Sequence, residues 1–146
     1  MNELWTREVM NRLVTIACGL LVAALIATNS VAQAGSDWMT TKDRTGSCQI
    51  SFPRNWGQSV TLVKSNGRVR TLSHETQKMY SQRMLENTEK RVFYVMKSTP
   101  GPRPVTTYMV SVPGEGFHCT GQLVVQPSYP EDEVKKIVAT FTAQKP

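Results

Sequence analysis

Along the chain, apolar and polar positions change rhythm several times, and each change predicts an element. Residues 13–27 form an almost unbroken apolar run, interrupted only by Thr15, Cys18 and Gly19. After it, residues 35–46 are polar apart from Trp38 and Met39, and read as a flexible lead-in. Cys48-Gln-Ile-Ser-Phe52 then alternates, which puts Cys48, Ile50 and Phe52 on one face of a strand. The run Pro53-Arg54-Asn55-Trp56-Gly57 stops it. Residues 60–64 and 68–72 read as two short strands around Ser65-Asn66-Gly67, and Asn-Gly is a strong hairpin signal.

Ser73 can cap a helix with Glu75 in its first turn, where the helix dipole favours negative charge. The spacing of Leu72, Thr76, Met79, Tyr80 and Met84 predicts that this helix runs over 73–87, its thin apolar stripe covering a sheet. Residues 91–97 are apolar at successive positions from Val92 to Met96, as a central strand covered on both faces would be. Pro100, Gly101, Pro102 and Pro104 make 98–104 a loop. Residues 105–112 and 117–126 are strands joined by the turn Pro113-Gly-Glu-Gly116. Phe117, Cys119, Leu123 and Val125 share one face of the second. Ser128-Tyr-Pro-Glu131 has the spacing of a capping box. It opens a helix whose Val134, Ile137, Val138 and Phe141 recur at i, i+3, i+4 and i+7.

The predicted order is β-β-β-α-β-β-β-α with hairpin connections. The fold class is therefore α+β, a mainly antiparallel sheet of about six strands flanked by two helices as an α/β/α sandwich. A chain of 146 residues suffices for one such domain.

The leading apolar run has a second meaning. Thr28-Asn-Ser30 and Val31-Ala-Gln-Ala34 follow it as a polar region and an A-x-A cleavage site, so residues 1–34 read as a secretory signal peptide cut before Gly35. The run of about 15 residues is shorter than the roughly 20 of a spanning helix. Residues 1–9 carry Glu3 and Glu8 against Arg7, a poor start for a signal, whereas Met10-Asn-Arg-Leu begins a tidy one; translation is expected to start at Met10. Cys18 lies early in the run, away from where a lipidation cysteine would end it. The remaining domain, 47–146 behind its lead-in, is expected to be periplasmic or secreted, with no membrane span after cleavage.

Export gives the cysteines their reading. Two remain, Cys48 and Cys119, both on the apolar faces of their strands, and an oxidising compartment pairs them most simply as a disulfide. In the chain-entropy model, closing a loop of about 70 residues contributes roughly 4 kcal/mol. The alternative, zinc held by Cys48, Cys119 and His118, lacks the close ligand spacing of such sites. No metal or cofactor is expected.

The chain carries 17 Lys/Arg against 11 Asp/Glu, and the signal removes two of each, so the exported part keeps the net charge of +6. Such a domain can meet an acidic protein, a cell-wall polymer or an anionic lipid surface. Its basic residues are dispersed, which argues against nucleic acid. Catalytic signals are weak. His74 and His118 are the only histidines, no G-x-S-x-G elbow accompanies Ser73 or Ser111, and Glu131, Asp132 and Glu133 sit where a helix start favours acids. Trp38, Trp56, Arg68 and Arg70 are the candidate partner-binding residues, Trp56 being the one a sheet edge would most readily bury.

The strand running into Pro-x-x-Trp, Cys48-Gln-Ile-Ser-Phe-Pro-Arg-Asn-Trp56, resembles the opening strand of PsbP-like domains. The segment Glu131-Asp-Glu-Val-Lys-Lys-Ile-Val-Ala-Thr-Phe141 is similar to their closing helix. That family includes extrinsic photosystem subunits, a Ran-release factor and exported bacterial proteins such as the DcrB group. The resemblance implies an α/β/α sandwich and an accessory or binding role, and carries over no functional residue. The function expected from the whole reading is that of an exported, non-enzymatic accessory or binding protein with a protein partner in the envelope. A binder of anionic polymers or lipids and a small hydrolase are the alternatives.

Overall fold

The strands that alternate most cleanly in the sequence are those that build the core. The structure, a computed structural model, describes residues 37–98 and 101–146. The signal peptide, its cleavage site, the Met10 start and Cys18 lie outside the described residues. The elements are β1 (Trp38–Lys42), β2 (Cys48–Pro53), β3 (Ser59–Asn66), α1 (His74–Tyr80), β4 (Ser81–Asn87), β5 (Val92–Met96), β6 (Thr106–Pro113), β7 (Phe117–Val125), α2 (Glu131–Ala139) and β8 (Thr142–Ala143).

The expected class holds: the chain is α+β with antiparallel strands throughout. The strands are divided between two sheets, one of five in the order β3-β7-β6-β5-β4 and one of three in the order β1-β2-β8. Both contribute to a single core. From the larger come Phe93, Val95, Tyr108, Val110, Val112, Phe117, Cys119, Leu123 and Val125; from the smaller come Cys48, Ile50 and Phe52. Helix α2 adds Val134, Ile137 and Val138, all at most 1% exposed, so its predicted stripe is the buried one. Gly121 lies on the core face of β7, where a Cβ would come within 3.1 Å of Val110 and 3.4 Å of the Phe141 ring. The missing side chain spares a tight contact with Val110 beside the Phe141 ring.

Four local expectations are corrected. Residues 38–42 are not part of a loose lead-in but form β1, paired with β2 from Trp38↔Pro53 to Lys42↔Gln49. Asp43 holds the turn between them, its carboxylate accepting from the N–H groups of Thr45 (3.1 Å) and Cys48 (2.9 Å). Burial raises the Asp43 pKa, but these donors, with the Thr45 hydroxyl, outweigh it and leave the carboxyl below its ordinary value.

Residues 68–72 do not fold back on β3. Gly67 takes a left-handed φ of 89°, yet β3 pairs with β7 over eight residues, from Ser59↔Val124 to Asn66↔Phe117. That ladder is longer than the hairpin could offer and sends Val60 and Leu62 toward the core.

The helix expected over 73–87 stops at Tyr80. Ser73 is its N-cap, accepting from the Thr76 N–H as its type suggests, but none of its seven residues is buried. A helix so short gains little by itself. Residues 81–87 instead complete the large sheet as β4, an edge strand against β5 with two irregularities in register.

The capping box is not made. Helix α2 starts behind Pro130 with no side-chain cap. The Tyr129 N–H turns back to the Gln126 carbonyl (2.9 Å), and the Glu131 carboxylate is taken by Arg83 and Lys135. Arg83 and Glu131 meet as a two-pronged pair that joins β4 to the start of α2. Hydrogen bonding from Arg83, with Lys135 assisting, lowers the Glu131 pKa from an ordinary 4.5 to about 2.

Candidate functional site

The unexpected course of residues 67–72 creates a basic groove lined by two of the candidate residues, Arg68 and Arg70. From the end of β3 the chain crosses the outer face of the large sheet as a strap, and hydrogen bonds pin it at both ends. At the near end, Gly67 N–H donates to the Gly116 carbonyl (3.2 Å) and His118 Nδ1 donates to the Gly67 carbonyl (3.1 Å). At the far end, Asn87 of β4 takes both backbone groups of Leu72. Its Oδ1 accepts from the N–H (2.8 Å) and its Nδ2 donates to the carbonyl (3.0 Å). Gln77 Nε2 donates to the same carbonyl (2.9 Å). Between these anchors, Val69 is buried against the sheet (7% exposed), and its neighbours Arg68 and Arg70 are exposed.

Strap and sheet enclose a groove of about 380 Å³. Its floor is the outward-facing set of three adjacent strands, brought together by the registers Val92↔Ser111, Tyr94↔Met109 and Ser111↔Thr120. Val92, Tyr94 and Met109 make it apolar at one side. At the other, the Ser111 and Thr120 hydroxyls hydrogen-bond each other at 3.0 Å. Burial raises the Tyr94 pKa, so its phenol is neutral at ordinary pH. Arg68 and Arg70 supply the charge, and no Asp or Glu lines the groove. Among the described residues neither arginine has an ion-pair partner, whereas Arg83, Arg91, Lys135, Lys136 and Lys145 all do.

Of the four residues singled out by sequence, the structure brings together only Arg68 and Arg70. Trp38 is half-buried on β1, in the other sheet. Trp56 is 5% exposed and packs in the core, 6.1 Å from the Phe52 ring and edge-on to Tyr129 at 4.9 Å. It has no surface with which to hold a partner. Tyr94, Met109, Ser111 and Thr120 went unnoticed as a group because they are 26 residues apart at the extremes and each merely alternates with a core position. Only the strand pairing makes them neighbours.

His118 fastens the strap and is hydrogen-bonded to neither hydroxyl of the floor. His74 lies in the first turn of α1, beside its capping serine. Cys48 and Cys119, by contrast, do come together: their sulfurs are 2.04 Å apart and their Cα atoms 5.5 Å apart, as a disulfide requires. Among the described residues, no group of three or more His, Cys, Asp or Glu is gathered for a metal, and no helix is long and apolar enough to cross a membrane. Compared with protein-family models, curated proteins and solved structures, the chain matches none of them.

Proposed function

We propose that this chain is an exported accessory or binding protein of the cell envelope, without catalysis of its own, acting through the outer face of its five-stranded sheet. The observation that carries the reading is the strap: it places two arginines, neither with a carboxylate partner among the described residues, at a groove whose floor is already formed. Arginines without an ion-pair partner among the described residues are available to an external acidic group. Export rests on the apolar leader with its A-x-A end and on the cysteine pair, which suits an oxidising compartment. The accessory role implied by the resemblance to PsbP-like domains belongs to the same reading.

The test is affinity capture from the native host's envelope fraction with the oxidised domain 35–146, at low and high salt, beside a variant carrying Arg68→Glu and Arg70→Glu. A protein partner held at high salt by the parent and released by the variant is the expected result. Equal retention by both would remove the outer face from the function. A second reading, a binder of anionic polymers or lipids, is favoured by the net charge of +6. It requires retention at low salt only, since surface charges are screened within about 8 Å at physiological ionic strength.

A further inference from the structure

The groove under the strap is too small for a polymer and too apolar on one side for a bare inorganic ion. Its volume of about 380 Å³ falls near the lower end of the roughly 300–1,000 Å³ typical of small-molecule sites. Val92, Tyr94 and Met109 offer an apolar bed that gains by excluding water. Arg68 and Arg70 stand on the strap, two residues apart with the buried Val69 between them, and both line the groove. Guanidinium groups fork onto the two oxygens of a carboxylate, and the lack of any acidic lining residue leaves that geometry free. The strap is also pre-positioned. Asn87 and His118 hold its ends, so a ligand need not order it on arrival.

We propose that this groove binds a small organic acid, a carboxylate carried on an aromatic or branched apolar body, with the body on the Tyr94–Met109 floor and the carboxylate between Arg68 and Arg70. The assignment rests on the outer face being the working surface, as proposed above, and names the class of ligand that this surface takes. A bare phosphate would leave the apolar floor unused, and a neutral aromatic would leave both arginines unused.

The test uses the oxidised domain 35–146 in solution, with backbone amide NMR shifts followed during titration. The probes are phenylacetate, its neutral isostere phenylacetamide, acetate and inorganic phosphate. The expected result is saturable shifts with phenylacetate at residues 67–72, Tyr94, Met109 and Thr120. Phenylacetamide, acetate and phosphate should each bind at least about tenfold more weakly, as the loss of a charge-assisted pair or of the apolar contact implies. The Arg68→Glu, Arg70→Glu variant should lose the phenylacetate shifts while its thermal midpoint stays within a few degrees of the parent's. Equal binding of phenylacetamide, equal binding of acetate or phosphate, shifts centred elsewhere, or no saturation at millimolar concentration would each overturn the ligand class. If that happens while envelope capture still depends on the two arginines, the outer-face reading survives and only the small acid is lost. If capture is also indifferent to them, both fall.

Discussion

Cys48 opens β2 of the three-stranded sheet and Cys119 lies on the core face of β7 in the five-stranded one, so the bond between them ties the two sheets through the middle of the core. Both residues are fully buried. Lys64, opposite Cys119 in the β3–β7 ladder, reinforces the joint. Its Nζ lies 4.5 Å from the centre of the Phe117 ring and donates to Ser47 Oγ at 3.0 Å, one residue before Cys48.

Replacing both cysteines by serine should therefore loosen the sheets from one another as well as lengthen the free chain. The residues are 71 apart in sequence. A loss of about 2–4 kcal/mol is expected, the upper end being the chain-entropy value. Urea unfolding of the oxidised and the Cys48→Ser, Cys119→Ser proteins measures it. Because the bridge is enclosed, dithiothreitol should reduce it only where urea has begun to unfold the domain; rapid reduction of the native protein would contradict the burial.

Trp56 separates a core role from a surface role cleanly. Its indole Nε1 is buried and has no hydrogen-bond partner among the described residues. Trp56→Phe therefore removes an unsatisfied donor along with part of the ring, whereas Trp56→Ala empties the space between Phe52 and Tyr129. The alanine variant should lose about 3–5 kcal/mol and the phenylalanine variant clearly less than half of that. Equal costs in denaturant titrations would argue against this packing.

Asn87 decides whether the strap stays down. Asn87→Ala removes the partners of both Leu72 backbone groups, one end of the segment that carries Arg68 and Arg70. Global stability should fall by about 1–2 kcal/mol. Hydrogen exchange should rise most at residues 67–72, and any ligand of the groove should bind more weakly although neither arginine has changed. Exchange that rises evenly over the whole sheet would place the role of Asn87 elsewhere.

Acid should release the tie between β4 and α2. Glu131 titrates near an ordinary 4.5 in the unfolded chain and at about 2 in the folded one, because Arg83 and Lys135 favour its charged form. A depressed carboxyl contributes stability that is complete above the unfolded value and is lost as pH falls through the window from about 4.5 to about 2. Arg83 is half exposed, so the whole effect should stay within about 1 kcal/mol. Glu131→Gln should flatten that part of the stability–pH curve, costing up to about 1 kcal/mol at neutral pH and nothing below about pH 2, where the two proteins converge. An unchanged acid slope would count against the pair.

How much of this could be read along the chain differs from element to element. β2, β6, β7 and α2 were legible because their apolar periods are clean, and the turn between β6 and β7 is marked by Pro113 to Gly116. The cysteine pair was legible because each cysteine falls on the apolar face of such a strand. Met84 misled: four residues on from Tyr80 it extends a helical stripe, yet in the fold it belongs to β4, where pairing with β5 outweighs a helix that buries nothing. Asn66-Gly67 misled in the same way: Asn66 ends β3, Gly67 N–H turns to Gly116, and the partner of β3 is β7.

By itself, then, the sequence determined much of the local rhythm: that the stretches of β2, β5, β6 and β7 are extended, that the turn between the last two falls at Pro113 to Gly116, and that two cysteines lie on apolar strand faces. Side-chain alternation and turn chemistry act over a few residues, so they are written locally. Only the tertiary structure decided which strands pair, that they divide into two sheets, and that residues 67–72 lie across one of them instead of folding back. Those outcomes depend on which of several competing ladders is longest and buries most, a comparison between segments tens of residues apart. The groove belongs to this second kind: Arg68 and Arg70 stand out by charge, but Tyr94, Met109, Ser111 and Thr120 become their neighbours only when β5, β6 and β7 are side by side.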